Sequence, residues 1–126
     1  MYENILLEKQ VDFETTKVMK ALADNNRLRI INLLNEETLC VCELEKVMGL
    51  EQSNLSKHLN KLKEAQIILS DKTPPFIFHR INPLILKNYP FIGILIQQLR
   101  KDKAFAKDIK KLEIERKSGL RCERVI

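Results

Sequence analysis

The chain has 126 residues, 44% hydrophobic and 31% charged, with only 3 Gly and 4 Pro. That is about one domain with enough apolar content for a core, which excludes disordered, collagen-like and low-complexity classes. A net charge of +5 permits an anionic partner, and 3 Cys, few and odd in number, exclude a disulfide scaffold.

The segment 1–20 carries Glu3, Glu8, Lys9, Asp12 and Glu14 where a secretory signal would be apolar. The longest uncharged stretch, 88–99, contains Asn88, Pro90, Gln97 and Gln98 and is too short to span a bilayer. The expectation is a cytoplasmic protein with reduced thiols and no membrane contact. Val11, Val18 and Leu22, with Met19 beside them, stand at helical spacing. Asp24 suits an N-cap, and Leu28, Ile30, Ile31 and Leu34 form the apolar stripe of the helix behind it. After a polar break at 35–39, a short helix turns Leu44 and Val47 inward and ends at Gly49, a residue at ease in a left-handed stop. Ser53 is the expected cap of the next helix, which runs to about Ala65 with Leu55, Leu59 and Leu62 on its core face.

Two short strands, 67–69 and 76–81, flank a turn at Lys72-Thr73-Pro74-Pro75, because proline cannot donate to a strand ladder. Asn82-Pro83 is a helix start, and Pro90 interrupts that helix. Phe91, Ile92, Leu95, Ile96 and Leu99 then form a broad apolar surface, continued by Phe105, Ile109, Leu112 and Arg116, with Gly119 a C-terminal cap. Four or so helices, a hairpin and one or two more helices give a mainly α fold with a small β-hairpin wing. This is a winged helix-turn-helix occupying 1–126 as one domain. The helix-turn-helix falls at 42–65, the wing at 67–82 and a tail at 119–126.

Charge is unevenly spread. Residues 1–52 hold six Lys/Arg against ten Asp/Glu, 53–80 hold five against two, and 81–126 hold eleven against five. The chain turns basic where the second helix of the turn motif begins, and attraction to phosphate would act through that half.

Cys40 and Cys42 form Cys-x-Cys at the entrance to the short helix. Inside a regular helix, residues two apart point about 200° from each other and could not clamp one ion. At a helix start the backbone has not yet wound up, so both sulfurs can turn to one side. Cys42, placed near the N-cap, would have its thiolate favoured by the free N–H groups and the dipole. The alternative is a pair of small buried hydrophobic side chains.

The stretch Thr38-Leu39-Cys40-Val41-Cys42-Glu43-Leu44 resembles the metal-binding box of the ArsR/SmtB family of metal-sensing repressors. The resemblance continues through Asp24-Asn25-Asn26-Arg27-Leu28-Arg29-Ile30, through Gln52-Ser53-Asn54-Leu55-Ser56-Lys57-His58-Leu59 and through Phe78-His79-Arg80-Ile81-Asn82-Pro83. It implies a homodimeric repressor that binds a two-fold operator in double-stranded DNA. It implies release by arsenite or antimonite at the thiolates, or by another thiophilic metal, with no metal needed for folding. Dimer contacts are then expected from 1–22 and 84–118. The family pattern often supplies a third Cys where this chain has Glu45, and commonly a Gly where it has Gln66. Cys122 is the remaining thiol, either the third ligand, reaching the pair in its own or the partner chain, or a tail thiol without that role. Residues 83–118 contain no His, so the second metal site of some relatives is not expected. His58 reads as a packed or DNA-facing ring and His79 as a wing stabiliser.

On this reading Gln52, Ser53, Asn54, Ser56, Lys57, Asn60 and Lys61 face the major groove, where Asn and Lys suit base edges and Ser suits phosphate. Lys72, Thr73 and Arg80 place the wing along the backbone or minor groove. Drawing both sulfurs onto one arsenic would distort a helix start packed against the recognition helix. The nearest alternative keeps the fold and the DNA but senses oxidants or persulfide through the same thiols. A thiol enzyme using Cys42 with a histidine lacks any accompanying nucleophile signature, and the three thiols lack the spacing of a structural zinc site.

Overall fold

The computed structural model describes residues 13–119. Helix α1 (Thr15–Leu22) buries Val18, Ala21 and Leu22, while Val11 lies outside the described residues. Asp24 caps α2 (Asn25–Glu36) as expected, its carboxylate accepting the backbone N–H groups of Asn26 and Arg27. Strand β1 (Leu39–Cys40) leads directly into α3 (Val41–Met48), which ends on Gly49 at φ 69°. That left-handed conformation is free of steric cost for a residue without Cβ.

Helix α4 (Gln52–Glu64) begins two residues earlier than the sequence suggests. The Leu55 amide donates to the Glu51 carbonyl at 3.0 Å, so Glu51 is the N-cap and Ser53 already lies within the first turn. Leu55, Leu59 and Leu62 are buried as predicted, against Ile30, Ile31 and Leu33 of α2 in a single hydrophobic cluster. At the other end, Ile67 N–H donates to the Leu62 carbonyl (3.0 Å) and Gln66 N–H to that of Lys63 (2.9 Å). These two bonds make a Schellman motif, which puts Gln66 at φ 62° in the position that favours glycine.

Strands β2 (Ile68–Thr73) and β3 (Phe76–Ile81) pair antiparallel, from Ile68 opposite Ile81 to Thr73 opposite Phe76. The first strand is thus longer than 67–69. Lys72 and Thr73 belong to it, and only Pro74-Pro75 form the turn. Asp71, Lys72 and Thr73 are exposed beyond the core, so no apolar alternation marks them. The hairpin also gains a third strand, for β1 pairs with β3 through Leu39 opposite His79 and Cys40 opposite Phe78. Two residues are too few to show a period.

Asn82 caps α5 (Pro83–Asn88), and after Pro90 the chain continues as α6 (Phe91–Lys101) and α7 (Lys103–Lys117). Three helices therefore follow the wing rather than one or two, because Asp102 turns extended and caps a new helix through the Ala104 amide. Helix α7 packs against α2, α3 and α6. Arg29 of α2 grips the buried Asp108 of α7 with two bonds of 2.8 and 3.0 Å, and Asn32 donates to the Phe105 carbonyl at 3.1 Å. Among the described residues no helix is long and apolar enough to cross a membrane.

His79 is buried in the wing with its Nδ1 2.8 Å from Ser70 Oγ, in keeping with a wing-stabilising role. Burial, aided by the charge of Lys63, lowers its pKa from 6.5 to about 4. The folded chain therefore resists protonation that the unfolded chain accepts. His79 contributes fully above pH 6.5, and that contribution is lost as the pH falls towards about 4. Urea melts between about pH 7 and pH 5 should show stability falling by up to about 1.4 kcal/mol per pH unit, a slope that His79→Gln removes. At the Schellman turn, Gln66→Gly relieves a left-handed strain of about 1–2 kcal/mol, offset in part by glycine's unfolded-state freedom. The net expectation is a gain of about 0.5–1 kcal/mol in the same melts.

Candidate thiol site and nucleic-acid interface

Cys40 ends β1 and is itself the N-cap of α3, at φ −92° and ψ 171°; Cys42 is the second residue of the helix. Because Cys40 is still extended, the divergence expected of two helical side chains does not arise. The two Sγ atoms lie 2.9 Å apart. Cys40 is 2% exposed, whereas Cys42 lies on the accessible side. Cys42 thus lies near the N-cap as expected, and the N-cap itself is Cys40. Burial, reinforced by the Glu43 carboxylate, pushes the Cys40 thiol up to about 11.

Sequence reasoning missed two residues that shape this site. Glu43 is fully buried, and its Oε1 accepts the Cys40 backbone N–H at 2.9 Å, completing a capping box with Cys40. Its Oε2 accepts Arg116 Nη1 at 2.7 Å, and Arg116 also pairs with Glu37 at the end of α2. The N-cap-to-third-residue spacing of Cys40 and Glu43 was a readable signal, masked because cysteine is not among the usual capping residues. Arg116 arrives from 73 positions away and leaves no local trace.

The pair opens on a cleft of about 240 Å³ lined by Cys40, Cys42 and Glu45 on one side and by Gln52, Phe76 and Ile77 on the other. One wall is thus the thiol box, and the other is the first residue of α4 with the tip of the wing. Among the described residues no group of three or more His, Cys, Asp or Glu side chains could hold a metal ion. The Sγ atoms of Cys40 and Cys42 lie side by side, and Cys122 lies outside the described residues.

On α4, Gln52, Ser53, Asn54, Lys57, Asn60 and Lys61 are exposed and Ser56 is half-buried, all away from the leucine face. Lys72 and Thr73 are exposed on the wing. Arg80 is half-buried and donates its Nε to Asp71 at 2.8 Å, bracing the two wing strands. His58 sits apart from the thiols in a polar cluster, 3.3 Å from Arg27 Nη1 and 3.7 Å from Asp24 Oδ1. Its ring is packed against the start of α2. Met19, Leu84, Phe91 and Ile94 are exposed apolar residues, Ile94 at 67%. The edge-on rings of Phe13, Tyr89 and Phe91, with a 2.9 Å bond from Thr15 to Tyr89, join α1 to the start of α6.

With this geometry in place, the chain can be set beside known proteins. The family model "Bacterial regulatory protein, arsR family" matches residues 24–70, from the α2 cap into β2. The cadmium resistance transcriptional regulatory protein CadC of Listeria innocua is 31% identical over 90 residues, covering 68% of this chain and 76% of that protein. The arsenic resistance transcriptional regulator ArsR1 of Pseudomonas putida is 39% identical over 67 residues, covering 52% of each. Among solved structures, reduced HlyU from Vibrio cholerae aligns at a TM-score of 0.58 and 28% identity, over 69% of this chain and 85% of that one. The helix-turn-helix, the three-stranded wing and these relatives lead to one conclusion: the chain belongs to the arsR family of bacterial regulatory proteins, and is a DNA-binding transcriptional regulator rather than an enzyme.

Proposed function

We propose that this chain is a homodimeric repressor that leaves its operator when trivalent arsenic or antimony binds Cys40 and Cys42, with Cys122 as third ligand. The observation that carries the reading is the convergence of the two sulfurs, 2.9 Å apart, in a cleft whose far wall belongs to α4 and the wing. Metal–sulfur bonds of about 2.3 Å can span such a pair after small side-chain rotations. The family relatives named for arsenic and cadmium resistance support a thiophilic inducer. The protonated state of Cys40 suits arsenite in particular. Each As–S bond forms as an As–O bond breaks, and the thiol proton leaves with the hydroxide as water. Two thiols release two waters, and a third thiol releases a third.

On DNA, the exposed residues Gln52, Ser53, Asn54, Lys57, Asn60 and Lys61, with half-buried Ser56, form the major-groove face, and Lys72, Thr73 and Arg80 carry the wing along the backbone. The dimer is assigned to 1–22 and 84–118, where the exposed Met19, Leu84, Phe91 and Ile94 supply apolar surface. Inducer in the cleft would press on both DNA-reading elements at once. If the filled form fits the operator poorly, arsenic and DNA weaken each other's binding by the same coupling energy. A second reading, release by oxidants or persulfide, draws on the same sulfur convergence and on the likeness to a regulator solved in a reduced form.

Arsenite titrated into the complex with operator DNA should dissociate the wild-type chain and leave Cys40→Ser bound, read by fluorescence anisotropy. Persistence of the wild-type complex under arsenite, with release by persulfide, would replace this reading by the second. Lys57→Ala should weaken DNA binding across sequences. It should also lower the slope of log K against log salt by about 1 per protomer. An unchanged slope would remove Lys57 from the interface.

A further inference from the structure

We propose that the buried Glu43–Arg116 pair transmits occupation of the Cys40/Cys42 site to the end of helix α7, so that ligand binding loosens the last turns of that helix. The inference rests on the thiol-sensing reading and adds to it a mechanical output that the thiols alone do not specify. Both Glu43 carboxylate oxygens are engaged, one by the Cys40 amide (2.9 Å) and the other by Arg116 (2.7 Å), in a side chain with no solvent exposure. Arg116 spans the start of α3 and, through Glu37, the end of α2. The preceding polar anchor of α7, Asp108 on Arg29, lies two turns earlier, so the grip at Arg116 holds the helix terminus.

A buried carboxylate deprived of its counter-charge is strongly unfavourable, so Glu43 and Arg116 are constrained to move together. A ligand that draws Sγ of Cys40 and of Cys42 onto one centre must alter the N-cap and first turn of α3. Glu43 caps that same turn and must follow the Cys40 amide or release it. Either response disturbs the bond to Arg116. The coupling is reciprocal: firm docking of α7 opposes occupation of the thiols, and occupation opposes docking. Glu43 and Arg116 are therefore positioning residues that touch no ligand themselves.

The test is hydrogen exchange of the full reduced chain with and without excess sodium arsenite, beside a direct arsenite titration. Exchange over residues 110–117 should quicken about tenfold on arsenite binding, while residues 29–34 in the core of α2 stay protected. Arg116→Met should show the fast exchange without arsenite and bind arsenite about fivefold more tightly, because the opposing contact is already gone. Arg116→Lys should return both readouts towards wild type. A residue of merely structural importance would weaken arsenite binding when lost, and that result would overturn the proposal. So would arsenite binding to the wild-type chain with exchange at 110–117 unchanged, a measurement that stands even if the variants fail to fold. A wild-type chain that does not bind arsenite at all would overturn the thiol-sensing reading as well.

Discussion

A helix cannot satisfy the amide groups of its own first turn, and the way α3 meets that need organises the thiol site. The capping is shared between Cys40, which keeps an extended backbone, and the buried Glu43, which reaches back to the Cys40 amide. An extended Cys40 can pair with Phe78 in the sheet and can turn its sulfur towards that of Cys42. A fully helical residue at position 40 would do neither. Strand pairing, helix capping and sulfur convergence are thus three consequences of one backbone conformation.

The same junction places the thiols against both elements proposed to meet DNA. Strand β1 joins Cys40 to the wing strand β3, and the cleft joins the thiols to Gln52 at the start of α4. A perturbation there need not travel along a chain of distant contacts. The wing is itself well braced: Arg80 ties its strands through Asp71, and the neutral His79 bonds Ser70 beneath them. A stiff wing moves as a unit, which favours a discrete change over a gradual one.

The Glu37–Arg116–Glu43 cluster, built on the buried Glu43, extends this logic to the C-terminal helix. Ion pairs of this kind contribute little net stability, since desolvation offsets their attraction, and they are better understood as devices that fix one arrangement. Here the arrangement fixed is the end of α7 against the cysteine-bearing turn. Arg29 and Asp108 perform the corresponding role further up α7, where the neighbour is the end of α3 and no thiol is near.

Much of this was legible in the order of residues. The Asp24 cap, the Leu55/Leu59/Leu62 face, the Gly49 stop and the Asn82-Pro83 start each depend on interactions within a few positions, which local chemistry dictates. The convergence of Cys40 and Cys42 followed from their placement at a helix start. What the tertiary structure alone decided was β1, the extension of β2 to Thr73, the restart of the helix at Asp102 and the Glu43–Arg116 bond. A two-residue strand and a solvent-facing ladder carry no apolar period, and a salt bridge between residues 73 apart has no local spacing to read. The raised Cys40 pKa is likewise a tertiary result, because burial is a property of what packs around a residue and not of its neighbours in the chain.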